Sequence, residues 1–250
     1  MIALGRRFVL PLLLAAMLGR PVVSAAQDSL PTRSHTPLQL GWRHGALMLG
    51  AVGIAMAFDE TFQRYDQSHG STDADNVAKV FRRMGQPEVF ATVGLGVLGA
   101  GLVSGDAGLT RAGARITTSL LVAGVTVTVL KAAIGRLRPL DSKDAFTFRP
   151  FSGNDAFPSG HTTMAFALAT SVSDELHSPV ASVLLYTAAT GTAWSRTNDN
   201  KHWLSDVVAG AELGITSAKL VNGRWRIFGL HPPAFLLAPG QVGLRWDGRF

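Results

Sequence analysis

Six apolar segments recur along the chain, at residues 45–58, 89–103, 116–130, 162–172, 179–194 and 207–221. Each is followed by charge, glycine or proline. Continuous apolar runs of this length, closed by breakers, read as helices rather than strands. Only 16% of the 250 residues are charged, against roughly 25% in average soluble domains. Glycine is abundant, with 27 residues. Small residues let apolar helices approach closely, in or on a membrane.

Between the first two segments the pattern changes. Val77, Val80, Phe81 and Met84 fall at i, i+3, i+4 and i+7, with Asp73 and Asp75 at the start and Arg82 and Arg83 in the last turn. Gly85 and Pro87 then end an amphipathic helix whose job is packing. Residues 139–158 form a loop rich in turn formers. After Trp225, Val242, Leu244 and Trp246 alternate with Gly243 and Arg245, and Pro239-Gly240 turns a short terminal β-hairpin. The expected fold is therefore all-α, a bundle of about six core helices plus one amphipathic helix, with the hairpin at the C-terminus. Residues 27–38 hold Pro31 and Pro37 and read as a linker. Residues 39–224 form the helical domain and 225–250 the tail. No internal repeat appears.

The first 26 residues resemble an export signal. Arg6 and Arg7 precede an apolar stretch at 8–18, and Ser24-Ala25-Ala26 offers small residues for cleavage. That stretch is short of the about 20 residues a membrane helix needs, although a first membrane helix is the alternative. Net charge is +6, which favours phosphate groups or anionic lipid surfaces as partners. No Lys/Arg block interleaved with aromatics points to nucleic acid. With no cysteine there is no disulfide and no thiolate metal site.

Three short windows carry chemistry. In KAAIGRLRP, Lys131 and Arg138 stand seven apart, about two helical turns, on one face. Taken alone, they are an end-of-helix lysine and a loop arginine. In PSGH, Gly160 lets backbone N–H groups approach a ligand, Ser159 adds a hydroxyl, and the following helix presents a positive end. The ordinary alternative is Ser159 as a helix cap with His161 beside it. In SRTNDNKHWLSD, His202 and Asp206 are i, i+4 and would stack if helical, so that the carboxylate holds one imidazole nitrogen and frees the other. Arg196 offers a planar fork for phosphate. A surface His–Asp pair is the alternative there.

The ordered set K-x6-RP, PSGH, SR-x5-H-x3-D resembles the signature of the type 2 phosphatidic acid phosphatase superfamily, which also holds class A acid phosphatases and vanadium haloperoxidases. Every signature position is matched between Lys131 and Asp206. The resemblance implies a metal-independent phosphatase acting on phosphate monoesters, lipid phosphates among them. It implies that His202 is the nucleophile and forms a phosphohistidine, that Asp206 orients it, and that His161 is general acid and then base. Lys131, Arg138, Ser159, Gly160 and Arg196 would hold the phosphate. No cofactor is expected, apart from vanadate as a phosphate mimic or prosthetic group. A zinc site built from His161, His202 and Asp206 is disfavoured by the three adjacent cations. His35, His44, His69, His177 and His231 lie outside the motifs. The alternatives are a haloperoxidase, against which the loop of about 20 residues between Pro139 and Pro158 argues, and a non-catalytic anion- or lipid-binding protein.

Family resemblance also implies motifs on the exported side. If residue 27 starts outside, three true spans would put Lys131 in the cytoplasm instead. The first segment, 14 residues, and the fourth, 11, fall short of about 20. The balance tips toward an exported periplasmic bundle, with an integral inner-membrane protein close behind it.

Overall fold

The computed structural model describes residues 36–228, 234–238 and 241–245. The segment read as an export signal, residues 27–35 of the linker, and Trp246 lie outside them. Among the described residues seven helices follow one another: α1 (Trp42–Ser68), α2 (Thr72–Met84), α3 (Pro87–Ser104), α4 (Ala107–Ile134), α5 (Gly160–Leu176), α6 (Pro179–Asn198) and α7 (Leu204–Val221). The all-α bundle expected from the six apolar segments is the fold observed.

Local signals account for the boundaries. Ser71 caps α2 by accepting from the Ala74 N–H, and Asp106 caps α4 by accepting from Gly108 and Leu109. Pro87 and Pro179 occupy first-turn positions of α3 and α6, where a missing N–H costs nothing. Gly135 ends α4 with φ +61°, and a side chain there would run into the Arg149 carbonyl. That turn delivers the chain from α4 into the loop carrying Arg136 and Arg138.

α5 packs between α4, α6 and α7, α3 lies along α4, and α1 lies along α7. At Gly210 an added Cβ would come within 2.8 Å of the Ser159 carbonyl, so α7 can approach the PSGH turn only through glycine. α2 packs against α6, but not through the whole stripe read from the sequence. Ala78 is its buried residue and Phe81 lies against Gly191, whereas Val77 and Val80 are 48% and 58% exposed.

Two small sheets complete the described residues. β1 (Leu38–Leu40) pairs in parallel with β2 (Trp225–Ile227), Leu38 opposite Trp225. β3 (Ala234–Ala238) and β4 (Gln241–Arg245) form the antiparallel hairpin expected around Pro239-Gly240, with Ala238 opposite Gln241. β1 precedes α1 and β2 follows α7, so these two helices run antiparallel, and the β1–β2 pair sits at the end of the bundle where α1 begins and α7 finishes.

The fourth short segment lies in α5, which has 17 residues, but the shortness of the first is absent from α1, and α4 around the third segment is as long. α1 and α4 contain 27 and 28 residues, and the stretches Trp42–Ser68, Thr72–Ser104 and Ala107–Ile134 are long and apolar enough to cross a membrane. Their outward residues are apolar, including Leu47, Ile54, Phe58, Leu95, Leu121 and Val125, all exposed. A helix with an apolar outer face is one whose surroundings are apolar too.

Candidate active site

Four helix ends meet at one pole of the bundle. Lys131 lies in the last turn of α4, Ser159 and Gly160 at the start of α5, Arg196 in the last turn of α6, and Asp206 in the first turn of α7. The antiparallel alternation of these helices brings motifs 75 residues apart in sequence to one place.

Ser159 occupies the N-cap position of α5, yet its side chain makes no cap hydrogen bond. Its hydroxyl instead accepts from Thr162 Oγ1 at 3.0 Å. Its backbone N–H donates to the Asp206 carbonyl at 2.9 Å, tying the PSGH turn to α7. Gly160 stands beside Lys131, since a Cβ there would lie 3.5 Å from Lys131 Cε. His161 lies over Gly85, where a Cβ would come 3.4 Å from its ring.

His202 and Asp206 do not stack on one helix. His202 precedes α7, and Trp203 is the N-cap residue. Asp206 Oδ2 accepts from the Trp203 N–H at 2.8 Å and faces His202 Nδ1 at 3.4 Å. The imidazole is thus held from the loop, through Nδ1, and Nε2 has no hydrogen-bond partner among the described residues.

Charge and burial set the state of both rings. Burial lowers the His202 pKa below its ordinary 6.5, against the pull of Asp206 and with a push from Lys131 and Arg196. His161 is lowered to about 4, by burial first and then by Arg196, His202, Lys131 and Arg138. Burial first, and then the neighbouring cations, disfavour the charged form of both rings.

The motif cations are paired with carboxylates. Asp155 accepts from Arg138 Nη2 at 2.7 and 2.9 Å and lies 3.7 Å from Lys131 Nζ, which also donates to the Asp155 carbonyl. Arg196 and Arg82 share Asp199 Oδ2, at 3.0 and 2.7 Å. Even so, the Nε donors of Arg138 and Arg196 are buried without a partner among the described residues. Two unpaired guanidinium donors beside a neutral imidazole suit an incoming oxyanion. A polar cavity of about 370 Å³ opens beside Arg138, lined also by Asp141, Asn154 and Asp155. Among the described residues no group of three or more His, Asp or Glu side chains is placed to hold a metal ion.

Residues 112–226 match the family model of the PAP2 superfamily. Over this part the chain resembles the PAP2 superfamily. It is 42% identical over 104 residues to a lipid A 1-phosphatase of Porphyromonas gingivalis, covering 41% of this chain and 21% of that protein. A lipid A 1-phosphatase of Rhizobium etli is 36% identical over 107 residues, covering 41% of this chain and 45% of that protein. The chain thus spans less than half the length of the curated relatives it matches. Aquifex aeolicus LpxE shares the fold, with a TM-score of 0.54 at 20% identity over 66% of this chain and 94% of that one. So does the first transmembrane PAP2 type phosphatidylglycerolphosphate phosphatase from Bacillus subtilis, with a TM-score of 0.57 at 20% identity over 71% of this chain and 94% of that one.

Around the PAP2 motifs stand residues that the motif reading passed over: Asp155, Asp199 and Arg82, already placed, and a buried cluster behind Asp206. Arg136 is fully buried and donates from Nη1 to Asp206 Oδ1 at 2.7 Å and from Nη2 to Asp59 Oδ2 at 2.6 Å. Asp59, on α1, also accepts from the Ser205 N–H and hydroxyl at 2.8 and 2.6 Å. Arg136 lies inside KAAIGRLRP, and a charged residue directly after a helix-ending glycine was the available signal. Asp59 offered only a carboxylate in an otherwise apolar run.

Proposed function

We propose that this chain is a phosphomonoesterase of membrane lipids, cleaving the phosphate through a phosphohistidine at His202. The observation that carries the reading is the pair of unpaired Nε donors of Arg138 and Arg196 beside a histidine held through Nδ1. A phosphate monoester carries about two negative charges, and its transfer asks mainly for positioning and charge neutralisation. Lys131, Arg138 and Arg196 supply the cations, and Ser159 and the Gly160 N–H add neutral donors.

In the first step His202 Nε2 attacks phosphorus, the P–O bond to the alcohol breaks, and His161 protonates the leaving oxygen. In the second, His161 takes a proton from water, the hydroxide attacks phosphorus, the P–N bond breaks, and phosphate leaves. Asp206 steadies the imidazolium between the steps. The bound dianion supplies the negative charge that lets His161 carry its proton despite the low value of the empty pocket. The cations of the pocket stand where other phosphotransferases use divalent metal, so hydrolysis persists in a chelator.

The relatives named lipid A 1-phosphatase support a glycolipid phosphate as substrate. An apolar groove of about 570 Å³ between α2 and α6 runs from Val183 past Tyr186 and Phe81 to Trp194, two residues from Arg196, and suits an acyl chain. The long apolar helices support a membrane-embedded bundle, and the family resemblance implies a catalytic pole on the exported side.

The test is phosphate release by the full chain in detergent from lipid A, phosphatidic acid and p-nitrophenyl phosphate, with and without chelator. We expect release from lipid A, inhibition by vanadate, and loss of all turnover in His202→Ala. Activity surviving that substitution removes His202 as nucleophile. Halide oxidation in added vanadate without phosphate release would replace the hydrolase by a haloperoxidase.

A further inference from the structure

Arg136 has five N–H donors, and all five are used. Nε donates to the Ala145 carbonyl at 2.9 Å, Nη1 to Ser205 Oγ and Asp206 Oδ1, and Nη2 to Asp59 Oδ2 and again to Ala145. The rings of Phe148 and Trp203 cover its faces, 5.4 and 5.6 Å from the guanidinium carbon. Nothing remains for a substrate, so Arg136 is no phosphate ligand. Asp59 accepts three hydrogen bonds and donates none, the geometry of an ionised carboxylate.

Two carboxylates and one guanidinium leave this buried cluster with one net negative charge. That count matters to His202. Paired with Arg136 alone, Asp206 would be cancelled, and a positive imidazole ring would face no compensating charge. Lys131, Arg196 and His161 also face it, and the first two repel a cation. Asp59 restores the missing charge. It also fixes the Ser205 N–H in the first turn of α7, the turn that carries Asp206.

We propose that Asp59 and Arg136 are positioning residues that act on His202 through Asp206, Arg136 by fixing the carboxylate and Asp59 by keeping the cluster's net charge at minus one. The inference rests on His202 being the nucleophile. It predicts an effect on chemistry from a residue on α1, outside all three motifs and out of reach of the substrate.

The experiment compares the full chain in detergent with Asp59→Asn, Ser205→Ala and the double variant Asp59→Asn/Arg136→Gln. Each is followed by kcat, KM, the acid limb of kcat/KM, and the phosphohistidine trapped on acid quench. Asp59→Asn takes the cluster to zero charge. It should lower kcat about tenfold with KM within about twofold, and move the acid limb down by about one pH unit, because an imidazolium is then less stabilised. The double variant returns the charge to minus one and should bring the limb back to the wild-type position. Ser205→Ala keeps the charges and loses hydrogen bonds, so its limb stays in place.

A limb that stays put in Asp59→Asn, or that moves equally in Ser205→Ala, overturns the proposal, since packing or hydrogen bonding would then explain the cluster. If Asp59→Asn does not accumulate folded, the double variant decides: a wild-type limb supports the charge count, and a displaced one rejects it. Wild-type inactivity or an active His202→Ala protein would instead remove the reading beneath it, whatever Asp59 does.

Discussion

Arg136 and Arg138 are two residues apart and live in different worlds. Arg136 is fully buried, with every donor spent on protein oxygens and two carboxylates of its own. Arg138 is partly open, keeps an unpaired Nε, and is joined to Asp155, a carboxylate 47% exposed on the loop beside it. The first arrangement is permanent, because taking either partner away strands a charge in low dielectric. The second is exchangeable, because an anion arriving from outside can take the place of Asp155. The contrast separates a frame from a mouth: the frame fixes the Asp206 carboxylate, and the mouth waits for phosphate with a carboxylate in its place.

The comparison breaks most visibly at the frame. Arg136→Met leaves Asp59 and Asp206 buried and unpaired and should cost about 3–5 kcal/mol of stability, read as unfolding in denaturant with the protein in detergent. Stability within about 1 kcal/mol of wild type would mean the cluster is not the sealed unit its geometry indicates.

Next in size is His161. His161→Gln should lower hydrolysis of an alkyl or glycolipid phosphate by about 10²–10⁴-fold. It should spare p-nitrophenyl phosphate, whose leaving group departs without a proton. Equal losses on both substrates would make His161 a binding residue. The same ring gives a sign to stability. The unfolded chain binds the proton near 6.5 and the folded one only near about 4, so within that window the unfolded state holds more protons. Stability is full above 6.5 and falls on acidification toward 4, and His161→Gln should flatten that fall in a melting series.

A smaller effect belongs to the mouth. Asp155→Asn frees Lys131 and Arg138, and inorganic phosphate should inhibit about two- to fivefold more tightly, the scale of a partly exposed ion pair. Weaker inhibition would show that Asp155 holds the clamp in shape rather than competing for it. Smallest is Arg82→Ala: Asp199 keeps Arg196 as partner, so kcat/KM should fall by less than about threefold, with KM carrying the change.

Much of this was legible in the chain. Lys131, Arg138, Ser159, Gly160, His161, Arg196, His202 and Asp206 stand in three short windows that the family resemblance joins into one set, and the structure gathers them at one pole. The C-terminal hairpin was announced by Pro239-Gly240. Other features were hidden for identifiable reasons. α1 was read as ending at Phe58 because Asp59 and Glu60 follow, yet the helix continues to Ser68 and Asp59 is buried against Arg136, 77 residues away. A charge that looks like a stop signal locally is satisfied only by a distant partner. α5 was likewise cut short at Val172, because Asp174 finds Lys219 and Asn222 on and beyond α7. The pairing of β1 with β2 depends on tertiary proximity alone, which three-residue strands do not advertise.

That pairing has a consequence for sidedness. β1 and β2 mark one pole of the bundle and His202 the other, and α7 puts about 27 Å between them, close to the thickness of a bilayer's hydrocarbon layer. In a membrane, residue 38 and the catalytic pole therefore face opposite compartments. A catalytic pole facing out fixes residue 38 facing in. Since the chain has no cysteine, single cysteines placed at positions 38 and 141 would report both compartments with a membrane-impermeant thiol reagent.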